Sequence, residues 1–469
     1  MFFKARSAAT EEGYMNRSAE KSLFSLRELL KPAAVCGWLG GLILCIMFLS
    51  HIESESLLTD LASWQSDLGL YGSLVFSAFT LLYFLIQALL AVFYRPSPEL
   101  AEDKLPSVTV IIPAYNEGRQ IADTIESVFK ADYPADRLEV IAINDGSGDD
   151  TWQWMSSVLP AHEKQLTLVD LEKNQGKKHA LCVGITRAQG EVIVTIDSDS
   201  EIVPDALRKI VSPFADPKVG AVAGNVRVMN LKEGCIPKML DTAFAFGFEF
   251  MRAAQSHIHT VLCTPGALSA YRLTAVKPLL NRWLDQTFLG RPAAIGEDRA
   301  ITSMLIREGW HSDFQSNAFV FTRMPVTYSG VFKMLTRWCR SDIRENIIML
   351  QFAFLNLRHF RFRQLGLQLN VLFASVSIIL PLFSLPALLL AIVSVPLEAI
   401  FMLAAGNILW STVPAFIYAS RYGFRHSYWA VIYGFYYLPF LSWIGVYSVL
   451  TLRNTSWITR QLPGLEKHQ

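Results

Sequence analysis

The run GLQLNVLFASVSIILPLFSLPALLLAIV, residues 366–393, places 28 residues in succession without one charged side chain. That is too long for the core of an ordinary soluble domain, and as a helix it crosses the roughly 30 Å of a hydrocarbon layer. Three further segments read the same way: AVCGWLGGLILCIMFLS (34–50), GLYGSLVFSAFTLLYFLIQALLAVF (69–93) and EAIFMLAAGNILWSTVPAFIYAS (398–420). Four spans are therefore expected, two ahead of a long polar middle and two behind it, in keeping with a hydrophobic content of 52%. A fifth apolar segment, 428–450, is interrupted by Pro439 and followed by Arg453, Arg460 and Lys467. A re-entrant hairpin fits it better than a full crossing.

Charge sets the orientation. Lys4, Arg6, Arg17, Lys21, Arg27 and Lys31 precede the first span, whereas the connector 51–68 lacks Lys and Arg and carries Glu53, Glu55, Asp60 and Asp67. The positive-inside rule then puts the N-terminus and everything after Phe93 in the cytoplasm. A polar segment of 30 residues precedes the first span, with no clear small-residue cleavage pattern after it, so that span is not expected to be a cleavable signal peptide. The balance of 42 Lys plus Arg against 41 Asp plus Glu gives no global basic field to recruit nucleic acid, which is discounted as a partner; membrane lipid is expected. Six cysteines show no CxxC spacing and suggest neither a zinc site nor a disulfide framework.

The expected organisation is a cytoplasmic segment 1–31, two transmembrane helices within 32–95, an α/β domain over 105–345, an interfacial amphipathic helix 346–365, transmembrane and re-entrant helices over 366–452, and a cytoplasmic tail 453–469. Within the middle, VTVIIPAYNE, LEVIAINDGSGDD, LTLVDLEKNQGKKHA and EVIVTIDSDSE begin as short β-rich runs, and GRQIADTIESVFKA between the first two has helical periodicity. Strands alternating with helices predict a parallel sheet covered by helices, with ligands bound beyond the carboxyl ends of the strands.

Those ends are where the acidic residues fall. In VIVTIDSDSE a run of β-branched residues breaks into Asp197, Asp199 and Glu201. An Asp-x-Asp pair there suits a hard divalent cation that shares its shell with substrate phosphates, or else it is a solvated strand end ahead of a helix cap at Asp205. Asp145 closes another strand, with Gly146 and Gly148 forming a tight turn, and can accept hydrogen bonds from a base or sugar edge. In KNQGKKHA, Gly176 precedes Lys177, Lys178 and His179, cations that can meet a diphosphate or form an exposed charged face. Glu297 and Asp298 open a helical pattern: a cap, or a general base for sugar transfer. Arg337 and Trp338 are read as a phosphate ligand and a sugar-stacking face, or as a snorkelling pair at a membrane surface.

Taken in order, VTVIIPAYNE, NDGSGDDT, NQGKKHAL, TIDSDS, CTPGALSAYR, IGEDR and TRW resemble the family 2 glycosyltransferases of GT-A fold, over about residues 107–345. RAAQS (252–256), DQTFLG (285–290), RWCRSDIREN and TLRNTSWITR (451–460) are similar to the hyaluronan synthases and the rhizobial chitooligosaccharide synthases. The resemblance implies a GT-A, Rossmann-like catalytic domain joined to α-helical transmembrane segments. It implies that Asp145 contacts the uridine end of a UDP-sugar, that Ala114, Tyr115, Glu117, Lys177, Asp197 and Arg337 belong to the donor site, and that Asp197 and Asp199 serve Mg²⁺ or Mn²⁺. Asp298 is then the base, with Glu297 beside it, and Trp338, Gly266 and Arg299 face the acceptor, a growing polysaccharide. The implied activity is processive, inverting polymerisation of UDP-N-acetylglucosamine, with UDP-glucuronate if the product is hyaluronan, and passage of the polymer through the membrane. One departure stands out: the family's Gln-x-x-Arg-Trp has Met334 at the Gln position, which removes an amide and favours, by that much, transfer of a single sugar to a lipid or short acceptor. A catalytically silent scaffold or export pore is the reading of another class; it has no need of Asp145, Asp197, Asp199 and Asp298 together.

Overall fold

The computed structural model describes residues 63–354, 362–394 and 396–454. The expected segment 1–31, the span 34–50 and the tail beyond 454 lie outside the described residues.

The β-rich runs form strands because their branched side chains are buried on both faces. β1 (Val108–Ala114), β2 (Leu138–Asn144), β3 (Leu166–Asp170) and β4 (Val192–Thr195) are mutually parallel, in the order β3-β2-β1-β4. Val110 and Ile112 of β1 pack towards α2 (Gln120–Phe129), α3 (Thr151–His162) and α5 (Ala206–Val211). Ile111, between them, faces α4 (Lys177–Arg187) and α8 (Glu297–Arg307). The period-two alternation of the strand thus separates two helical layers.

The sheet departs from the expected all-parallel arrangement beyond β4. Its order continues β7-β6-β10-β5, with β7 (Ser269–Arg272) antiparallel to both β4 and β6 (Val219–Val228), and β5 (Ser200–Ile202) antiparallel to β10 (His311–Thr322); β8 (Thr287–Phe288) and β9 (Arg291–Pro292) form a separate two-stranded antiparallel ribbon. The reversal matters for the site. Thr195 pairs with Ser269, so the approach to β7, residues 265–268, arrives where β4 ends.

After β10, Thr327 caps α9 (Tyr328–Ala353) by accepting a hydrogen bond from the Gly330 amide at 3.2 Å. This single helix carries Arg337 and Trp338. The segment expected as a separate interfacial helix from 346 is, as far as Ala353, the last part of α9, and 355–361 lie outside the described residues. The helix stays continuous because no Gly or Pro interrupts 331–353.

Of the expected spans, α1 (Ser63–Phe93) contains the second, α10 (Phe362–Ser394) the third and α11 (Pro396–Tyr422) the fourth. Within α10 and α11, Phe362–Leu382 and Ala399–Tyr422 are long and apolar enough to cross a membrane. The fifth apolar segment is broken: Phe424–Phe440, which includes α12 (Trp429–Phe440), and α13 (Trp443–Leu450) are bent by 46°.

The membrane helices are tied to the sheet domain through charge. α6 (Cys235–Phe244) continues through a π-helical turn, Ala245–Phe250, into α7 (Met251–His257). Glu249 in that turn pairs with Arg421 of α11 and accepts the Tyr422 hydroxyl at 2.6 Å. Asp241 on α6 takes a two-point hydrogen bond from Arg227 of β6, at 2.9 and 2.6 Å, and accepts the Tyr418 hydroxyl at 3.0 Å.

Candidate active site

The loops after β1 and β2 are stitched together. Thr151 Oγ1 accepts the amides of Glu117 and Gly118, each at 2.9 Å, and Asn116 Oδ1 accepts the Gly148 amide at 2.9 Å. This sets Tyr115 and Glu117 beside Asp145. The Asp145 carboxylate, 2% exposed, accepts the amides of Gln175 at 2.9 Å and Gly176 at 2.8 Å, which fixes the turn leading into α4. Gly146 permits this at φ +66, and a Cβ there would lie 2.5 Å from the Lys173 carbonyl carbon.

That turn aims Lys177 at Asp197 Oδ1, 2.5 Å away, and at Glu297 Oε1, 2.8 Å away. Burial works against the ammonium, but Asp197, Glu297 and Asp298 outweigh it and hold its pKa above the ordinary value. Lys178 does not join it. Successive helical residues point about 100° apart, and Lys178 instead donates to the Ala293 carbonyl at 3.3 Å, beside the Trp283 ring. Desolvation brings its pKa down to about 8.

Asp197 and Asp199 lie in the turn between β4 and β5, not on one strand face. Turn geometry brings both to the cavity, whereas Glu201, on β5, is exposed away from it. Asp199 accepts hydroxyl hydrogen bonds from Ser200 at 3.2 Å and Thr322 at 3.3 Å. Its pKa is pushed up to about 6, by burial first and then by Asp197 and Glu117. Among the described residues no three His, Cys, Asp or Glu side chains are gathered as a ready-made metal cage, and Lys177 already meets Asp197; Asp197 and Asp199 are a two-carboxylate oxygen set of the kind that holds a hard divalent cation only together with substrate phosphates.

Asp298 stands in the first turn of α8. Its Oδ2 accepts the Gly266 amide at 3.1 Å and its Oδ1 the Arg299 amide at 2.7 Å. Burial, then the neighbouring Glu297, raises its pKa to about 6. Glu297 moves the other way: burial opposes its charge, but Lys177 prevails and keeps its pKa below the ordinary value. The acidic pair is thereby split into one carboxylate held charged and one poised to take a proton. Gly266 lies between the two acidic groups, since a Cβ on it would fall 3.1 Å from Asp197 Oδ1 and 2.5 Å from Lys177 Nζ.

All the residues expected at the site line one cavity of about 540 Å³: Ala114, Tyr115, Glu117, Asp145, Lys177, Asp197 and Asp199 towards the strand ends, Gly266, Glu297, Asp298 and Arg299 at its centre, and Arg337 and Trp338 from α9. Met334 also lines it, so the apolar side chain stands where the family places an amide. Several contributors were not singled out from sequence. Asp342 binds Arg299 at 2.9 Å, and Arg344 donates to the Ile295 carbonyl at 2.7 Å beneath the Gly296 turn. Arg252, Phe244 and Phe248 add a wall. The SDIREN and RAAQS segments were the signal, noticed only as a likeness.

Gly296 precedes Glu297 at φ +68, and a Cβ there would collide with the Ser341 side chain. G296A is expected to displace the Glu297–Asp298 turn and lower the transfer rate about a hundredfold, since misplacements near 1 Å cost that much. The rate of nucleotide release from donor checks it, against a Gly406→Ala control, a helical glycine with ordinary φ whose Cβ meets nothing within 4 Å.

Residues 109–279 match the family described as Glycosyl transferase family 2. An N-acetylglucosaminyltransferase of Mesorhizobium japonicum is 30% identical over 362 residues, 76% of this chain and 82% of that protein. A hyaluronan synthase of Streptococcus pyogenes is 28% identical over 406 residues, 84% of this chain and 91% of that protein. Among solved structures, a mannosyltransferase from Pyrobaculum calidifontis in complex with GDP-Man and Mn²⁺ superposes with a TM-score of 0.54 at 24% identity, covering 73% of this chain and 95% of its own; at that identity it speaks for the GT-A fold alone. On the extent of the match to these relatives, the chain belongs to the family 2 glycosyltransferases.

Proposed function

We propose that this chain is a processive, inverting transferase that adds N-acetylglucosamine from UDP-N-acetylglucosamine to a β-linked polysaccharide and passes the polymer through its own membrane helices. UDP-glucuronate is a second donor if the product is hyaluronan. The observation that carries this reading is the single cavity shared by strand-end carboxylates, Asp298 and Trp338. The names of the relatives supply the sugar. The catalytic domain faces the cytoplasm of a multi-pass plasma-membrane protein, as the charge asymmetry around residues 51–68 supports.

In this mechanism the loops bearing Tyr115, Glu117 and Asp145 seat the nucleotide, and Asp197 and Asp199 would hold Mg²⁺ or Mn²⁺, which would supply positive charge for the diphosphate leaving group. Arg337 approaches the same group. Asp298 removes the proton from the acceptor hydroxyl as that oxygen attacks the anomeric carbon from the face opposite the diphosphate. Trp338 presents its ring to the terminal acceptor sugar.

Detergent-purified protein supplied with Mg²⁺ or Mn²⁺ should release UDP from UDP-N-acetylglucosamine and build a product that a hyaluronidase or a chitinase digests; absence of UDP release from any UDP-sugar sinks the reading. Asp199→Asn should weaken metal-dependent UDP binding about tenfold or more, by loss of an anionic ligand. Titrating Mn²⁺ at fixed UDP tests the ligand role, which an unchanged metal dependence contradicts.

A further inference from the structure

The segment that delivers Asp298 is held by its carbonyls from two other helices. Ahead of α8, the Ala293 carbonyl accepts Lys178 of α4 at 3.3 Å, and the Ile295 carbonyl accepts Arg344 Nη2 of α9 at 2.7 Å. Arg344 gives its Nε to Glu345 Oε1 at 2.8 Å, and the same oxygen takes Gln286 Nε2 at 3.0 Å. The Gln286 carbonyl accepts the Ala293 amide at 2.8 Å. A ring is thereby closed, running from the base segment through Arg344, Glu345 and Gln286 and back. Arg344 and Glu345 are 4% and 0% exposed. The next residue, Asn346, donates to Ser375 of α10 at 2.8 Å, so this stretch of α9 is braced against a helix long and apolar enough to cross a membrane.

Arg344, Glu345 and Gln286 do not line the cavity, and they can act on the chemistry only through what they hold. What they hold is the left-handed turn at Gly296, two residues before Asp298. A guanidinium is a rigid planar fork. With one edge fixed on Glu345, the other has a single direction in which to donate, and that direction ends at the Ile295 carbonyl. Six residues earlier on the same helix Trp338 faces the cavity, about 9 Å away along the axis. One continuous helix thus carries both the ring at the acceptor end and the clamp on the base turn.

We propose that Arg344, oriented by Glu345, is a positioning residue for the base: it sets Asp298 at a fixed distance from the acceptor face of α9, and governs the transfer step without binding donor or acceptor. The proposal rests on the glycosyl-transfer reading and adds to it a group acting from outside the cavity.

The test separates rate from binding. R344K keeps the charge that Glu345 requires but has one terminal nitrogen, which cannot serve Glu345 and Ile295 with the geometry of the fork. Full-length R344K in detergent, with Mn²⁺, UDP-N-acetylglucosamine and chitotetraose, should lose about ten- to a hundredfold in single-turnover transfer rate, the cost of a misplacement near 1 Å. Its affinities for UDP and for chitotetraose should stay within about twofold of wild type, since only the transition state is affected. R340K is the control: Arg340 lies one turn earlier on α9, equally buried, and donates to Thr451 instead. General loosening of α9 would slow both variants alike, whereas the clamp slows R344K selectively. If R344K loses UDP affinity, R344Q combined with E345Q decides, because it strands no buried charge; it should show the same loss of rate with UDP binding retained. An unchanged rate, equal losses in R344K and R340K, or loss of UDP affinity in the double variant as well overturns the positioning role. A wild type that releases no UDP from any UDP-sugar removes the transfer reading itself, and the clamp with it.

Discussion

Asp298→Asn should lower sugar transfer by two to four orders of magnitude, the general range for loss of a positioned base, while UDP affinity stays near that of the wild type. The split follows from placement. Asp298 accepts the Gly266 amide through Oδ2 and the Arg299 amide through Oδ1; an asparagine has one oxygen and keeps one of the two, while the loops after β1 and β2 are untouched, so the proton acceptor is lost and nucleotide binding is spared. Glu297 cannot substitute, because Lys177 holds it 2.8 Å away as an ion pair. The same geometry fixes the acid side of the pH profile. With its pKa raised to about 6 by burial and by Glu297, Asp298 is a free base only above that pH. The wild-type rate should therefore fall as pH drops through about 6, and approach a tenfold loss per unit below it. At saturating Mn²⁺, which would keep Asp199 ionised although its own pKa is also raised to about 6, D298N should lose that limb along with its rate. Transfer assays across pH, beside calorimetric titration of UDP, give both numbers. A variant that loses UDP affinity, or keeps the wild-type rate, removes Asp298 from the role of base.

How much of this was legible beforehand follows from what each kind of signal encodes. β1 to β4 announce themselves by runs such as VTVIIPA and VIVT, because a strand buried on both faces leaves no polar positions. β6 and β10 did not. VGAVAGNVRV contains two glycines and HSDFQSNAFVFT buries Ser312, Asp313, Gln315 and Ser316, so neither shows the apolar run or the alternation on which a strand is recognised, and the mixed half of the sheet went unread. In the site, carboxylates at strand ends are conspicuous because charge rarely follows such runs without cause. Arg252 and Asp342 were missed as site groups because what makes them so, the cavity both line and the Arg299 that Asp342 pairs with, is a property of the folded chain. Lys177 and Lys178 make the same point within one dipeptide, since the helix alone decides which reaches the cavity.

The second large effect belongs to the seam between sheet domain and membrane. Glu249→Gln should destabilise the protein by about 3–5 kcal/mol, the usual consequence of removing one member of a buried ion pair. Glu249 is 0% exposed and Arg421 is 6% exposed, so the lone guanidinium has no water to turn to. Nearby, the Arg227 guanidinium, 3.6 Å over the Tyr422 ring, is already committed to Asp241, which leaves no spare anion to take over. Replacing both partners, E249L with R421M, removes the stranded charge and should recover most of the loss. Thermal midpoints in detergent for the two singles and the double close the cycle, and a double variant no better than E249Q would contradict the ion pair as the cause. The position adds a functional reading. Glu249 lies in the π-helical turn whose neighbours Gly247 and Phe248 line the cavity, and π turns are held by specific contacts because they cost helical hydrogen-bond geometry. Loosening the α11 anchor frees that turn to relax towards regular helix, swinging Phe248 away from Trp338. E249Q assayed below its midpoint should therefore bind acceptor oligosaccharide less tightly, while Lys177, Asp197 and the nucleotide loops, built on β1, β2 and β4, keep their grip on the donor.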